Sequence, residues 1–235
     1  MDVVVVMPTY NERDNIEHIA RAVMERPCRP LLLVVDDGSP DGTAEIVANL
    51  AAENPERVSL LPRTEKDGLG RAYAAGFAHA LRTFSPTCVV QMDADGSHDP
   101  VDIDRLVAAL DNADLALSSR YMPGGDVVGW SKHREWLSRA GNLYARVMLS
   151  TALSDLTGGF KAWRSELLEK VHAETTESHG YGFQIEMTTR ARALGARIVE
   201  VPIVFRERET GTSKMSARIA VEALRGVPAM RRILR

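Results

Sequence analysis

Asp93 and Asp95 stand one residue apart in Asp93-Ala94-Asp95-Gly96-Ser97-His98, directly after the apolar run Cys88–Met92. Two carboxylates so spaced on a strand-end turn can reach one hard divalent cation. Mg2+ or Mn2+ held this way completes its shell with substrate phosphates. Polar clusters close three other apolar runs: Pro8-Thr9-Tyr10-Asn11-Glu12, Asp36-Asp37-Gly38-Ser39-Pro40-Asp41, and Ser119-Arg120-Tyr121. Each alone reads as a turn or a helix cap. Four of them at strand ends predict one shared crevice, because ligands of open α/β sheets bind beyond the carboxyl ends of the strands.

Other chemistries fit less well. No Gly-x-Gly-x-x-Gly follows the first apolar run and no Gly-Lys-Ser/Thr loop occurs, so the usual dinucleotide and P-loop cradles are absent. A phosphatase of the aspartyl-nucleophile type carries its Asp-x-Asp on the first strand, whereas here it follows the fourth. An EF-hand loop needs Gly at its sixth position, where this chain has His98. Imidazole suits Mg2+ less well than carboxylate does, so His98 is a candidate contact to metal or diphosphate rather than a principal ligand.

The elements that must position these residues are legible in the first 120 positions. Val3–Met7, Leu31–Asp36, Val58–Leu61, Cys88–Met92 and Leu115–Ser119 read as strands, apolar throughout as in a sheet covered on both faces. Helix patterns lie between them near Asp14–Glu25, Asp41–Ala51, Gly70–Arg82 and Val101–Leu110, with Asp41 as an N-cap and Pro100 at a first turn. Strand and helix alternating in this way predict right-handed crossovers and a mostly parallel sheet of nucleotide-binding type. Beyond it, Tyr121–Gly129 reads as a Gly-rich loop and Ser131–Leu153 as a helix. Phe160–Trp163 and Arg197–Phe205 read as strands, Phe183–Leu194 as a helix stopped by Gly195, and 216–235 as a helical tail interrupted at Pro228. No repeat or long linker divides the chain, so a single domain is expected.

Composition narrows the class. The 235 residues are 45% hydrophobic and 26% charged, as in globular rather than disordered chains. No apolar run approaches the ~20 residues of a membrane-spanning helix. Cys28 and Cys88 are the only cysteines, which excludes a disulfide scaffold and predicts a reducing, cytoplasmic setting. The chain enters a Val run without a basic leader, so a secretory signal is not expected. The net charge of −3 gives no reason to expect nucleic acid. It divides unevenly: eight basic and three acidic residues from Arg206 onward give +5, which leaves −8 for residues 1–205.

The strand-end motifs together resemble the successive signatures of family 2 glycosyltransferases with the GT-A fold. Ser119-Arg120-Tyr121, Thr157-Gly158-Gly159-Phe160-Lys161, Gly180-Tyr181-Gly182-Phe183-Gln184-Ile185-Glu186, Val201-Pro202-Ile203-Val204-Phe205-Arg206 and Gly211-Thr212-Ser213-Lys214-Met215 resemble the polyprenol (dolichol) phosphate mannose synthases within them. The match runs over nearly the whole chain. It implies a GT-A catalytic domain over 1–215, with a Rossmann-like, mostly parallel sheet flanked by helices, and a basic tail over 216–235. Pro8, Tyr10 and Glu12, with Asp37, would hold the guanine and ribose of GDP-mannose. Asp93, Ala94 and Asp95 would take its diphosphate through Mg2+ or Mn2+, with Ser97 at the third metal position, where many relatives carry Gln. Arg206 and Lys214 would clamp phosphate or order a loop over the site. Arg120 and Arg134 would receive the phosphate of a polyprenyl acceptor, with Lys132, His133 and Arg139 competing for the place of Arg134. His133 and His179 read as structural or headgroup-facing, and Tyr181 and Phe183 as lining the acceptor side.

Elementary chemistry supplies a mechanism. Cleavage at the anomeric carbon builds negative charge on the leaving diphosphate, which a cation and nearby Arg or Lys stabilise. A phosphate monoester with a second pKa of ~6 is already a nucleophile at neutral pH and needs no strong base. One in-line displacement with inversion follows, giving a β-mannosyl phosphate lipid. The same fold using UDP-glucose with the same lipid is the near alternative. A sugar-1-phosphate nucleotidyltransferase should carry a Gly-rich basic loop after the first strand, which is absent here. A non-catalytic binding module would have little use for the carboxylate pair.

The lipid acceptor requires contact with a bilayer. Trp130 and Trp136 are interfacial residues by type, Lys132, His133, Arg134 and Arg139 could face headgroups, and Leu143, Val147 and Leu149–Leu153 add apolar surface. The pattern near 131–153 fits an interfacial amphipathic helix as well as one whose apolar face joins the core. Arg218, Arg225 and Arg232 recur every seven residues and could lie on an anionic leaflet or simply aid solubility. The expected location is peripheral, on the cytoplasmic face of a membrane, with a separate membrane-anchoring protein left open.

Overall fold

The computed structural model describes residues 2–176, 178, 180–207 and 226–234. In chain order the elements are β1 (Val3–Thr9), α1 (Arg13–Met24), β2 (Leu31–Asp36), α2 (Thr43–Glu53), β3 (Val58–Pro62), α3 (Leu69–Phe84), β4 (Cys88–Gln91), α4 (Asp102–Ala109) and β5 (Leu115–Ser119). They are followed by β6 (Asp126–Val128), α5 (Lys132–Leu149), β7 (Lys161–Arg164), α6 (Ser165–Val171), α7 (Gly180–Ala193), β8 (Ile198–Pro202) and β9 (Val204–Arg206). A short helix spans 226–230.

The seven-stranded sheet has the order β3-β2-β1-β4-β7-β5-β8, parallel except for β7, which runs antiparallel to both β4 and β5. Strand period explains how it is covered. Val3, Val5 and Met7 of β1 point to a core shared with Ile16, Ile19 and Val23 of α1 and Ile103 and Leu106 of α4. Val4 and Val6 point the other way, toward Tyr73 and Phe77 of α3, Leu168 of α6 and Phe183 of α7. Gly76 lets α3 lie close on the sheet, since a methyl there would come within 2.8 Å of Val35. That close seat brings Tyr73 over the end of β4.

Four local expectations are corrected. Tyr121–Gly129 is not all loop, because Asp126–Val128 forms β6 and pairs with β9. The strand expected over Arg197–Phe205 breaks at Ile203, whose N–H donates to the Ser119 carbonyl at 3.1 Å while its carbonyl accepts from Asp126 N–H at 3.0 Å. One residue therefore hands the chain from the main sheet to the small one. The helix expected to reach Leu153 stops at Leu149, with Ser150 at φ +49°, and Arg192 donates to the carbonyls of Leu149 and Ser150. Asp41 does not occupy the N-cap position of α2; Gly42 does, and Asp41 accepts from Thr43 N–H at 3.0 Å from one residue further out.

A third apolar cluster joins Ala145 and Leu149 of α5 to Leu156, Ile185, Val227 and Met230. The described end of the expected tail is thus packed on α5. Residues 216–225 and 235, with Arg218 and Arg225, lie outside the described residues, as do Lys214 and His179.

Candidate active site

The chain winds β1, β2, β3 toward one edge and then returns to place β4 on the other side of β1, so the sheet reverses direction between β1 and β4. A crevice opens at such a point beyond the carboxyl ends. β1 ends in Pro8 and Thr9, and Asn11 adopts φ +57° to turn the chain into α1. The β2 end is tied to it: Thr9 Oγ1 donates to Asp36 at 2.9 Å, Ser39 Oγ donates to Asp36 at 2.6 Å, and Asn11 N–H donates to Ser39 at 3.0 Å. Buried Glu12 donates its N–H to Thr43 at 3.0 Å and accepts from Asn15 at 3.1 Å. Arg63 donates to Asp37 at 2.8 Å, yet burial outweighs that partner and raises the Asp37 carboxyl. Lys66 Nζ sits 3.8 Å over the Tyr10 ring. Pro8, Tyr10, Glu12 and Asp37 therefore share one wall.

The β4 end forms the floor. Tyr73 donates to Asp93 Oδ1 at 2.6 Å, and its ring stacks near Phe77 and Phe183. Ser97 donates both its N–H and its hydroxyl to Asp95 Oδ1, at 3.1 and 2.5 Å. His98 Nδ1 accepts from Asp93 N–H at 3.1 Å, so in the neutral ring the proton is on Nε2. That tautomer presents a donor beyond the turn rather than a metal ligand.

The opposite wall comes from elements far apart along the chain. Arg206 N–H donates to the Ser97 carbonyl at 3.3 Å, which brings β9 against the Asp93–Asp95 turn. The Phe205 ring meets His98 edge-on at 5.7 Å and Trp130 at 5.4 Å. Arg120 lies 5.4 Å over Phe205 and 5.6 Å over Trp130, and Arg134 lies 4.2 Å over Trp130. Arg120 is buried, with Nε and Nη2 donating to the two Asp155 oxygens at 2.6 and 2.8 Å and Nη2 also donating to Thr157 at 2.7 Å. Burial works to raise the Asp155 carboxyl, but the Arg120 charge and its hydrogen bonds hold it below the ordinary value. Glu200 accepts from the backbone N–H groups of Ser154 and Asp155, fixing that loop. Arg134 pairs with Glu207 at 2.6 Å. A continuous aromatic seam thus joins the carboxylate turn to two arginines.

Residues 4–172 match the family model described as glycosyl transferase family 2. The chain belongs to that family. It is similar to a polyprenol monophosphomannose synthase of Mycolicibacterium smegmatis, with 48% identity over 94% of this chain and 83% of the relative. An undecaprenyl-phosphate mannosyltransferase of Micrococcus luteus shows 47% identity over 95% of this chain and 91% of its own length. Among solved structures, a glucosyl-3-phosphoglycerate synthase from Mycobacterium tuberculosis, in complex with Mn2+, UDP and glucosyl-3-phosphoglycerate, superposes with a TM-score of 0.68 at 21% identity. It covers 97% of this chain and 78% of that one. A mannosyltransferase from Pyrobaculum calidifontis, in complex with GDP-Man and Mn2+, gives a TM-score of 0.64 at 23% identity over 90% of this chain and 58% of that one. The mostly parallel GT-A type sheet expected from the strand-end motifs is the fold found.

The floor of this glycosyltransferase fits a hard cation. Asp93 and Asp95 offer carboxylate oxygens already oriented by Tyr73 and Ser97. Among the described residues no group of three or more His, Cys, Asp or Glu is placed to hold a metal ion by itself. Neither cysteine competes as a nucleophile, since burial pushes both thiols up to about 12.

Three side chains here were not assigned a role from sequence. Tyr73 reads as one more apolar-face residue of a helix, and Asp155 as a loop polar residue; the partner of each lies on a different element. Lys161, fully buried on β7, donates to the Gln184 carbonyl at 2.8 Å and to Thr188 at 3.1 Å, and burial lowers its amine to about 7. Tyr73→Phe keeps both ring stacks and removes only the donor to Asp93. Steady-state rates are expected to fall roughly tenfold, the scale of one hydrogen bond to a charged group, with a higher Mn2+ concentration needed for half-maximal rate. An unchanged Mn2+ dependence would contradict this role.

Proposed function

We propose that the protein transfers mannose from GDP-mannose to a polyprenyl monophosphate in a single inverting displacement. The observation that carries this reading is the aromatic seam that sets Arg120 and Arg134 beside the Asp93–Asp95 turn, so that an anionic acceptor and a nucleotide diphosphate can meet. The two relatives, named as a polyprenol monophosphomannose synthase and an undecaprenyl-phosphate mannosyltransferase, support the choice of sugar and acceptor.

In this reading Pro8, Tyr10, Glu12 and Asp37 bind the nucleoside, and Asp93, Ala94 and Asp95 face its diphosphate. Asp93 and Asp95 would hold a divalent cation, Mg2+ or Mn2+, which would supply charge neutralisation for the leaving GDP. Ser97 orients Asp95 or ligates directly, and His98 donates through Nε2 toward the diphosphate. Arg206 adds positive charge on the leaving-group side, the role that the sequence resemblance also gives Lys214. Arg120 and Arg134 collect the acceptor phosphate, for which Arg134 must exchange the Glu207 carboxylate for phosphate oxygens. The phosphate is its own nucleophile, so no general base is assigned. Label from GDP-mannose should appear in organic solvent as a β-linked lipid when a short polyprenyl phosphate and Mg2+ or Mn2+ are supplied, and EDTA should abolish it. A covalent mannosyl-enzyme or an α-linked product would overturn the mechanism.

The outer face of α5 is the surface that meets the membrane in this account. Trp136, Leu143 and Val147 are 67, 58 and 68% exposed and recur at helical spacing, while Asn142, Ala145 and Leu149 face inward. The helix thus has a second apolar stripe besides the one it buries, and it starts beside Arg134. No helix among the described residues is long and apolar enough to cross a membrane. In this reading the protein lies peripherally on the cytoplasmic leaflet, with the basic residues of 216–235 as an added electrostatic contact. Replacing Trp136, Leu143 and Val147 together by Ser should weaken liposome flotation by tenfold or more, given about 1.5–3 kcal/mol for each large apolar side chain fully buried. The melting temperature should stay within a few degrees, because the three side chains touch water in the free protein. Undiminished flotation would remove α5 from the membrane contact.

A further inference from the structure

Gln184 stands behind the carboxylate turn with a donor that no described residue meets. It lies on α7 and is only 3% exposed; its Oε1 accepts from Gln91 Nε2 at 2.8 Å. Its Nε2 is buried without a hydrogen-bond partner, and Gln91 Oε1 is in the same state. Turning both amides over would still leave one donor and one acceptor unmatched, and it would set Gln184 Oε1 toward the Asp93 carboxylate; the orientation with Nε2 on that side avoids placing two acceptors together. Buried side-chain amides rarely go unsatisfied, and a ligand or an ordered water is the usual reason when one does.

The direction of that donor is set by Gly159. A methyl on Gly159 would lie 3.2 Å from Asp93 Oδ2, 3.5 Å from Gln184 Nε2 and 3.6 Å from His98 Cε1. Asp93, Gln184 and His98 therefore border one space over Gly159, at the floor of the crevice. A group entering it meets an acceptor in the Asp93 carboxylate and a donor in the Gln184 amide. A phosphate oxygen answers only the donor, having no proton to give the carboxylate. A hydroxyl answers both at once. Gln184 is also held firmly, since Lys161 Nζ and Thr188 Oγ1 both donate to its backbone carbonyl, at 2.8 and 3.0 Å.

We propose that Gln184 reads the transferred sugar: its side-chain amide donates to one sugar hydroxyl, which donates in turn to Asp93. Gln91 and Lys161 are positioning residues that act through it. The assignment rests on the sugar-transfer reading above and adds to it the residue that contacts the sugar itself. It also accounts for the missing side chain at position 159.

The test is a cycle between enzyme and donor. Transfer to a fixed polyprenyl phosphate is measured for wild type, Gln184→Met and Gln184→Glu, with GDP-mannose and with its monodeoxy analogues. Both variants should lose roughly tenfold in kcat/KM for GDP-mannose, with the KM for the lipid unchanged. One deoxy analogue should cost wild type a similar factor and cost Gln184→Met nothing further, because the contact is already gone. Gln184→Glu keeps the size of the side chain and serves if Gln184→Met does not fold. Additive losses on every deoxy donor would overturn the assignment. So would a lowered melting temperature with unchanged kinetics, the mark of a water-filled structural pocket. A wild-type enzyme that transfers no mannose would instead remove the sugar-transfer reading beneath it.

Discussion

Asp95→Ala is expected to lower mannosyl transfer by roughly a thousandfold, the scale of losing one group that stabilises developing transition-state charge. The carboxylate is only partly buried, so the protein should still fold. Its cost to stability is the loss of the acceptor for Ser97 N–H and hydroxyl, about 1–3 kcal/mol because Ser97 is itself buried. Asp95→Asn retains an acceptor oxygen for Ser97 and should separate the two effects, with near-native melting and a rate still down by orders of magnitude. Calorimetric titration of GDP-mannose with Mn2+ should show weak or absent binding in both variants. Native rates in either would exclude Asp95 from the chemistry.

The second large effect lies on the acceptor side and is first of all structural. Asp155 is fully enclosed and neutralises a guanidinium that is itself buried. Asp155→Ala strands that charge, and breaking a buried pair from one side costs about 3–5 kcal/mol. For a chain of this size, the expected fall in melting temperature is about 10 °C. Replacing Arg120 and Asp155 together by Met and Leu should recover most of that stability, because no unpaired charge remains, while lipid-phosphate transfer stays lost. Thermal melts and acceptor KM values for the single and double variants check both halves. The pH dependence has a definite sign. The folded-state pKa of Asp155 is depressed, so its contribution is present above the ordinary carboxylate pKa of ~3.9 and is lost as pH falls through the lower folded value. The gap in stability between wild type and Asp155→Ala should therefore close in strong acid. Equal stability of the two proteins at neutral pH would contradict the buried-pair account.

The parts of this site differ in how plainly the sequence displays them. The strand runs of the first half were legible because a sheet covered on both faces admits little but Val, Leu and Ile, and β1 is buried at every residue. The polar groups at their ends were legible because each cluster is contiguous. The direction of β7 was not, since a strand pattern reads alike in either sense, and only tertiary pairing sets Val90 against Ala162. β6 escaped notice because its three residues follow two glycines, and its partner, β9, comes 78 residues later by start position. Arg120 was readable as a cation at a strand end, whereas its anchor Asp155 lies 35 residues away in a loop with no pattern of its own. Tyr73 and Gln184 sit on the inward faces of α3 and α7, where apolar periodicity masks a polar tip.

The central claim is that this crevice moves mannose from GDP-mannose to a polyprenyl phosphate. It is tested most directly by offering two donors at once. GDP-mannose and UDP-glucose carrying different isotopes are incubated with the protein, Mg2+ or Mn2+ and a short polyprenyl phosphate, and the organic phase is counted for both. The account predicts mannose label alone in the lipid, absent with EDTA and in Asp95→Ala. Glucose label in the lipid, with mannose left in the aqueous phase, would contradict it.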